Sequence, residues 1–190
     1  MAAKSTLINM AACLTGVCLV CSAILGGIYA VTKQPIEEAS RRALLEALSV
    51  VLPADGEVNP EAQTVEVDGK NYEYYVQTRD TAVLCWAVKS TVGGFGGPLT
   101  LLVGVEPGGV VHATRVLSHS ETPGLGAKCE TDAHFIDQFK GFDTAVRSLK
   151  VRKDGGDVDA ITASTITSRA YAEAVESAVR AVAKIQEEQQ

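Results

Sequence analysis

A dense group of hydroxyl side chains lies between residues 162 and 168, where it could bind a phosphate. Five of these seven residues carry a hydroxyl: Thr162, Ser164, Thr165, Thr167 and Ser168. An apolar stripe at helical spacing follows from Tyr171 to Ile185, which predicts a helix just after the group. The unpaired N–H groups and partial positive charge at a helix start favour an anion. Simple N-capping by Thr167 or Ser168 is the simpler interpretation on composition alone, but it accounts for only one or two hydroxyls.

A second candidate stretch runs from Leu117 to Lys128 and contains a Pro-Gly turn. Gly124 and Gly126 could bring the backbone close to a flat ligand, and Leu125 could pack on the face of that ligand. An ordinary turn between a strand and a helix is the alternative interpretation. The residue types of a hydrolase triad also occur here: Ser118, His119 and Glu121. Neighbours in sequence rarely face one another as a triad requires, so a hydrolase is the weaker hypothesis.

The cysteines do not form the pattern of a metal site. Cys18 and Cys21 are spaced as C-x-x-C, but no second pair or histidine cluster accompanies them, so we expect no bound metal. Cys85 and Cys129 are the only thiols in the polar part of the chain. They could pair in an oxidising compartment, and the sequence leaves that question open.

The 190-residue chain begins with a segment apolar enough to cross a membrane. Lys4 is the only charged side chain before Lys33, and the 25 residues of Leu7–Val31 are predicted to form one helix, because backbone groups in lipid must bond one another. A cleaved signal peptide is the alternative, although this apolar run exceeds the usual signal length. From Lys33 onward, 16 Lys and Arg stand against 23 Asp and Glu, a net charge of −7, which argues against a nucleic-acid partner.

The remainder of the chain predicts an α+β fold, in which an antiparallel sheet is packed by helices. We expect three parts: a tail and transmembrane anchor at residues 1–32, a linking helix and connection at 33–62, and a domain at 63–190. The linking helix is predicted to open at Pro35, and a short helix is predicted at Ala133–Phe139. The predicted strands, bounded by turn residues, are Thr64–Val67, Tyr72–Thr78, Val83–Lys89, Leu99–Val105 and Val110–Leu117.

The chain resembles the G subunit of the Rnf ferredoxin:NAD oxidoreductase complex and, more distantly, the C subunit of the sodium-pumping NADH:quinone oxidoreductase. The resemblance covers nearly the whole chain and rests on the anchor followed by Gly93–Pro98, Glu121–Gly126 and Asp159–Thr165. It implies a flavoprotein with an FMN-binding domain, in which FMN is covalently attached through its phosphate to a threonine of a D-x-x-S/T-G-A-T pattern. The implied role is electron transfer in a complex that couples ferredoxin:NAD electron transfer to ion translocation, and not that of a complete enzyme.

Matched by position, the pattern makes Asp159 the leading acid, Thr162 the S/T and Thr165 the acceptor. Ala163 replaces the usual glycine and Ser164 the usual alanine, which leaves Thr167 as the alternative acceptor. Thr165 is an attachment point under this interpretation, so we expect no acid–base catalytic residue. The other expected cofactor-binding residues are Thr162, Ser164, Thr167, Ser168, Glu121, Thr122, Gly124, Leu125 and Gly126.

The resemblance implies a flavin transferase for maturation and other membrane subunits of the Rnf complex as partners. It also implies a single-pass protein of the bacterial inner (plasma) membrane, with the FMN domain on the periplasmic, extracytoplasmic side. The charge count favours the opposite orientation, because Lys33, Arg41 and Arg42 follow the anchor and only Lys4 precedes it. We follow the family on orientation. The alternatives are a component of a quinone-reducing pump, similar to its C subunit, and a membrane-anchored regulatory or binding module without redox function.

Overall fold

The computed structural model describes residues 7–80 and 82–188 of the chain. These residues divide into two compact units, which meet in sequence between Ala43 and Leu44. The first unit consists of one long helix segment. The second contains a sheet with its covering helices.

Helix α1 (Leu7–Val51) supplies all the described residues of the first unit, up to Ala43. By length and composition, α1 is the one helix among the described residues that could cross a membrane, with a mean hydropathy of 2.2 over its most apolar stretch. The sequence predicted a new helix opening at Pro35, whereas α1 continues through Pro35 without interruption. A proline inside a helix removes one N–H hydrogen bond and crowds the carbonyl four residues earlier, at a cost of about 3 kcal/mol. Good helix formers such as Lys33 and Glu37 surround Pro35 and favour continuation of the helix.

The second unit is built on one antiparallel sheet, with seven strands in the described part of the chain. The strands are β1 (Glu57–Val58), β2 (Gln63–Val67), β3 (Lys70–Arg79), β4 (Ala82–Gly93), β5 (Pro98–Val105), β6 (Val110–Ser118) and β7 (Phe142–Asp143). They lie in the order β1-β3-β4-β5-β6-β7, and β2 also pairs with β3. The five predicted strands and the α+β class are therefore confirmed. The turn between β2 and β3 has positive φ at both Asp68 (52°) and Gly69 (74°), as a two-residue hairpin turn prefers.

Three helices follow the main strands: α2 (Lys128–Thr131), α3 (Ala133–Asp137) and α4 (Thr165–Glu188). Helix α4 buries an apolar stripe, which includes Tyr171, Val175 and Val182, in the larger core cluster against strand residues such as Val88 and Val103. The hydroxyl of the fully buried Tyr171 forms a 2.7 Å hydrogen bond with that of Thr114 on β6. The stripe predicted from the sequence is therefore the face that attaches α4 to the sheet.

The end of α1 belongs to the second unit and covers the opposite face of the sheet. Leu48 and Val51 are buried in a smaller core cluster with Leu102 of β5. Gly104 on the same strand lets the helix end approach, because a Cβ at Gly104 would collide with the carbonyl oxygen of Val51. The last two turns of α1 are therefore part of the folded domain.

Cys85 and Cys129 are both free thiols, and they lie in different core clusters. Cys85 packs with the end of α1, and Cys129 packs on the α4 side of the sheet. Burial raises the pKa of Cys85 to about 12 and that of Cys129 to about 11. Both thiols are therefore neutral and poorly nucleophilic near pH 7.

Candidate functional site

The carboxylate of Glu121 connects three segments around the start of α4. Its Oε1 accepts hydrogen bonds from the backbone N–H groups of Phe95 (2.8 Å) and Gly96 (3.2 Å), in the loop between β4 and β5. Its Oε2 accepts a 2.6 Å hydrogen bond from the hydroxyl of Thr167 in the first turn of α4. Glu121 itself, in the loop after β6, is only 5% exposed. Three donors thus compensate its removal from water.

Glycines provide the space in which this carboxylate is enclosed. A Cβ at Gly94 would collide with Oε1 of Glu121, and a Cβ at Gly126 would collide with Oε2. A Cβ at Gly96 would collide with the carbonyl oxygen of Ser120. The glycine-rich loop before β5 therefore supplies backbone donors and permits a close approach of Glu121.

His119 fixes the backbone next to Glu121. Its Nδ1 accepts a 3.2 Å hydrogen bond from the N–H of Glu121, and its Nε2 lies 3.2 Å from Oε2 of Glu130. A backbone N–H only donates, so Nδ1 is unprotonated and Nε2 carries the hydrogen that is donated to Glu130. His119 thus bonds to Glu121 and Glu130 and not to Ser118, which does not support the triad hypothesis.

Helix α4 begins inside the hydroxyl group and not after it, which corrects the position predicted from the sequence. Thr162 is exposed and Thr165 half-buried, whereas three hydroxyl residues are buried: Ser164, Thr167 and Ser168. The first residue of the helix is Thr165. It therefore belongs to the first turn, where the backbone N–H groups lack partners within the helix.

Two of the buried hydroxyl residues shape the backbone. Oγ of Ser168 accepts a 2.9 Å hydrogen bond from the N–H of Ile161 and donates a 3.0 Å hydrogen bond to the carbonyl oxygen of Ser164. The N–H of Ser168 also donates to that carbonyl oxygen. Ser168 therefore closes the turn that leads into α4.

Ala163 adopts the left-handed backbone conformation, with φ of 63°. Glycine usually occupies this region, because a Cβ there crowds the backbone and costs about 1 kcal/mol. The turn before α4 thus keeps a glycine-like backbone although its residue is alanine.

A cavity of about 340 Å³ lies beside Thr165. Three segments line it, namely the glycine-rich loop, the loop after β6 and the start of α4. The lining residues are Phe95, Glu121, Thr122, Leu125, Gly126, Ala163, Ser164, Thr165, Ile166 and Thr167. Three predicted cofactor-binding residues are outside this lining: Thr162, Gly124 and Ser168. Gly124 instead forms part of a turn, with φ of 77°.

Two apolar residues of the cavity were not predicted from the sequence. Phe95 is 67% exposed and Ile166 is 51% exposed, and both are large apolar side chains at the cavity. The sequence does contain a feature that could have identified Phe95, because a large apolar residue stands there between two pairs of glycines. Together with Leu125, these side chains provide an apolar surface next to a polar helix start.

Each of the three side chains of the 3₁₀ turn Arg152–Asp154 contacts a residue at or near the start of α4. The pairs are Arg152 with Asp159 (2.9 Å), Lys153 with Thr165 (3.3 Å) and Asp154 with Arg169 (2.6 and 2.8 Å). Hydrogen bonding by Arg169 holds the pKa of the Asp154 carboxyl below its ordinary value of 3.8. Two of the three contacts are ion pairs, and the third joins a lysine ammonium to a neutral hydroxyl.

The FMN-binding domain family matches residues 94–180 of this chain, and the RnfG N-terminal region matches residues 1–51. The G subunit of the ion-translocating oxidoreductase complex of Vibrio cholerae is 34% identical over 172 residues, which cover 84% of this chain and 82% of that protein. The protein of the same name from Cereibacter sphaeroides is 38% identical over 147 residues, 73% of this chain and 67% of that protein.

Among solved structures, the fold is similar to that of the C subunit of the Na⁺-translocating NADH-quinone reductase of Parabacteroides distasonis. The TM-score is 0.57, with 21% identity, and the match covers 81% of this chain and 94% of that one. At this identity the similarity supports the fold alone. The two sequence regions and the relatives that span most of the chain decide the family: this chain belongs to the family of G subunits of ion-translocating oxidoreductase complexes.

Proposed function

We propose that this chain is the electron-carrier subunit of an Rnf-type ion-translocating oxidoreductase complex, and that it carries FMN attached by a phosphoester to Thr165. The observation that carries the proposal is the position of Thr165, where the apolar cavity meets the start of α4. FMN, when bound, supplies one-electron transfer. The chain itself supplies attachment, orientation and placement.

The cavity suits a flavin ring by its composition. Phe95, Leu125 and Ile166 offer apolar side chains to a flat ring, and Gly126 brings the loop after β6 close to α4 without a side chain of its own. The hydrogen bonds of Glu121 hold these segments in place before any ligand arrives, so little ordering remains to be done on binding.

The surroundings of the hydroxyls favour Thr165 over Thr167 as the acceptor. Thr167 is 1% exposed, and its hydroxyl already donates to Glu121. Thr165 is half-buried, lines the cavity and accepts a hydrogen bond from Lys153. A transferase could thus reach the Thr165 oxygen without breaking the contacts that hold the site together.

Attachment forms one bond and breaks another. Oγ1 of Thr165 becomes bonded to the phosphorus of FMN, and its proton passes to a base of the flavin transferase. The bond that breaks is the P–O bond of an activated flavin nucleotide, a pyrophosphate ester, whose leaving group departs with the bonding electrons. The result is a phosphodiester of one negative charge at the start of α4, where the helix dipole favours an anion.

We further propose that α1 anchors the chain in the bacterial inner membrane and that the domain lies on the periplasmic side. The length and hydropathy of α1 support the anchor, and the family supports the orientation. Other membrane subunits of the complex are the expected partners, and copurification in mild detergent identifies them. The relatives named as G subunits favour this assembly over the quinone-reducing alternative.

Intact-mass measurement tests the attachment. The chain coexpressed with a flavin transferase should be heavier than its sequence by FMN minus water, and Thr165→Ala should lack this increment. Thr131→Ala is the matched control, because Thr131 is an exposed threonine outside both the motif and the cavity lining, and it should keep the increment. Thr165→Ala should remain folded, with a loss of about 1 kcal/mol at most.

Two results would contradict the proposal. One is an unmodified wild-type chain in the presence of an active transferase. The other is an increment that persists in Thr165→Ala, with peptide fragmentation locating it on Thr167 or elsewhere.

A further inference from the structure

We propose that Lys153 is a phosphate-binding residue, whose ammonium group pairs with the phosphate attached to Thr165. The inference rests on the proposed attachment. It adds a residue from outside the motif and outside the cavity lining, which sequence comparison with the motif does not identify.

The 3₁₀ turn places Lys153 by means of its two neighbours. Arg152 and Asp154, on either side, are held by ion pairs to residues before and after Thr165. These two attachments leave the lysine between them facing the acceptor, with Nζ 3.3 Å from Oγ1 of Thr165. The ion pairs of Arg152 and Asp154 position the backbone of the turn, so the location of the Lys153 ammonium does not depend on its flexible side chain alone.

The charges around Lys153 leave it available for an incoming anion. Asp154 is engaged by two hydrogen bonds from Arg169, and Asp159 is paired with Arg152. Within residues 7–80 and 82–188, no carboxylate lies within ion-pair distance of Lys153 Nζ. Its contact with Thr165 is to a neutral oxygen, so the positive charge lacks a directly bonded anion.

Attachment of the nucleotide changes this contact from a hydrogen bond between an ammonium and a neutral hydroxyl to an ion pair. The phosphorus bonded to Oγ1 carries two non-bridging oxygens that share one negative charge, so this charge lies next to the oxygen that Lys153 already contacts. The ion pair adds the attraction between opposite charges, which a contact with a neutral hydroxyl lacks. A lysine also suits this role, because its ammonium is a compact point charge that tolerates several phosphate orientations.

The rate of flavin incorporation tests the proposal. The wild-type chain and its variants are coexpressed with the transferase, and in-gel flavin fluorescence follows the modification over time. We expect Lys153→Met to lower the initial rate about tenfold, the effect of one lost charge-assisted hydrogen bond. Lys150→Met is the matched control, because Lys150 is an exposed lysine two residues before the turn, and it should stay close to the wild-type rate. Lys153→Arg, which keeps the charge, should recover most of the loss.

Thermal melting provides a second measurement that does not depend on activity. In the flavin-loaded chain, Lys153→Met should lower the melting temperature by about 3 °C, because the ion pair with the phosphate is lost. In the chain expressed without the transferase, which keeps the Thr165 hydroxyl but carries no phosphate, the same substitution should leave the melting temperature nearly unchanged, because an exposed hydrogen bond to a neutral hydroxyl contributes little. A purely structural role for Lys153 would lower both values equally.

The outcomes separate this inference from the proposed function. An unmodified wild-type chain, or a modification away from Thr165, would overturn the attachment itself. A wild-type chain modified at Thr165, together with a Lys153→Met variant that matches Lys150→Met in rate, would overturn only the role of Lys153. Equal melting shifts in the loaded chain and in the chain expressed without the transferase would overturn it as well.

Discussion

At the scale of single residues, Ala163 is an alanine at the position where the D-x-x-S/T-G-A-T pattern has a glycine. Its φ of 63° is unfavourable for a residue with a Cβ. We predict that Ala163→Gly raises the free energy of unfolding by about 0.5 kcal/mol, since the relief of crowding exceeds the added entropy of the unfolded chain. Urea unfolding of the wild-type and variant chains measures the difference.

Ala145→Gly is the control for this prediction. Ala145 is exposed and lacks a positive φ, so glycine there should lower stability through the unfolded state alone. Opposite signs at the two positions are expected. A destabilised Ala163→Gly variant would mean that the turn before α4 does not require the left-handed conformation.

Residue types at the site could be predicted from the sequence, but the separate role of each residue could not. The hydroxyls before an apolar stripe were predicted as a candidate phosphate site, and three of them line the cavity: Ser164, Thr165 and Thr167. Whether a given hydroxyl is available depends on tertiary contacts, and these bury Thr167 against Glu121 and Ser168 against the backbone of Ile161. The contact of Lys153 with Thr165 joins residues from separate elements, so no local pattern encodes it.

At the scale of elements, Glu121 connects the loop before β5, the loop after β6 and the start of α4. We predict that Glu121→Ala lowers the free energy of unfolding by about 3 kcal/mol, because buried donors lose their acceptor and a void remains. Glu121→Gln keeps the shape and one acceptor oxygen, so it should lose only about 1 kcal/mol. Chemical denaturation followed by circular dichroism measures both variants.

Glu130→Ala is the matched control for the connecting role. Glu130 also bonds a side chain of this loop, His119, but its own side chain is 45% exposed. Exposed pairs contribute about 0.5 kcal/mol, so this variant should be nearly as stable as the wild type. If Glu121→Ala were as stable as Glu130→Ala, the three segments would be held by other contacts.

The strands were predictable because hydrophobic runs bounded by Gly, Pro and Asp carry a local signal. The ends of the helices could be predicted less well from the sequence. Helix α4 begins at Thr165, three residues before Ser168, because the turn closed by Ser168 and Ser164 sets the start. Helix α1 passes through Pro35, which a local rule treats as a boundary.

At the scale of the whole molecule, hydropathy predicted a membrane segment but not where the folded domain starts. The predicted boundary at residue 63 lies just before the first predicted strand, Thr64–Val67. The compact unit begins at Leu44, since the end of α1 covers a face of the sheet. An apolar stripe on a helix is the same in sequence whether it contacts lipid, a partner or the sheet of its own chain, so the sequence alone leaves this contact undetermined.

Truncation tests where the domain starts. We predict that residues 44–190 fold without detergent, whereas residues 54–190 do not. The shorter chain lacks Leu48, Val51 and Leu52, which are each less than 5% exposed in the core. Their loss removes about 5 kcal/mol of apolar burial, comparable to the total stability of a small domain. Size-exclusion chromatography and thermal melting compare the two chains.

Leu48→Ala in the 44–190 chain separates packing from chain length. This variant should lower stability by about 3 kcal/mol and still fold, because it removes one buried side chain and keeps the helix end. Exposed Leu45, in the same turn, provides the control, and Leu45→Ala should have little effect. Equal melting of the 44–190 and 54–190 chains would mean that the sheet needs no cover from α1. The helix would then serve as an anchor alone, and the domain would start near the boundary predicted from the sequence.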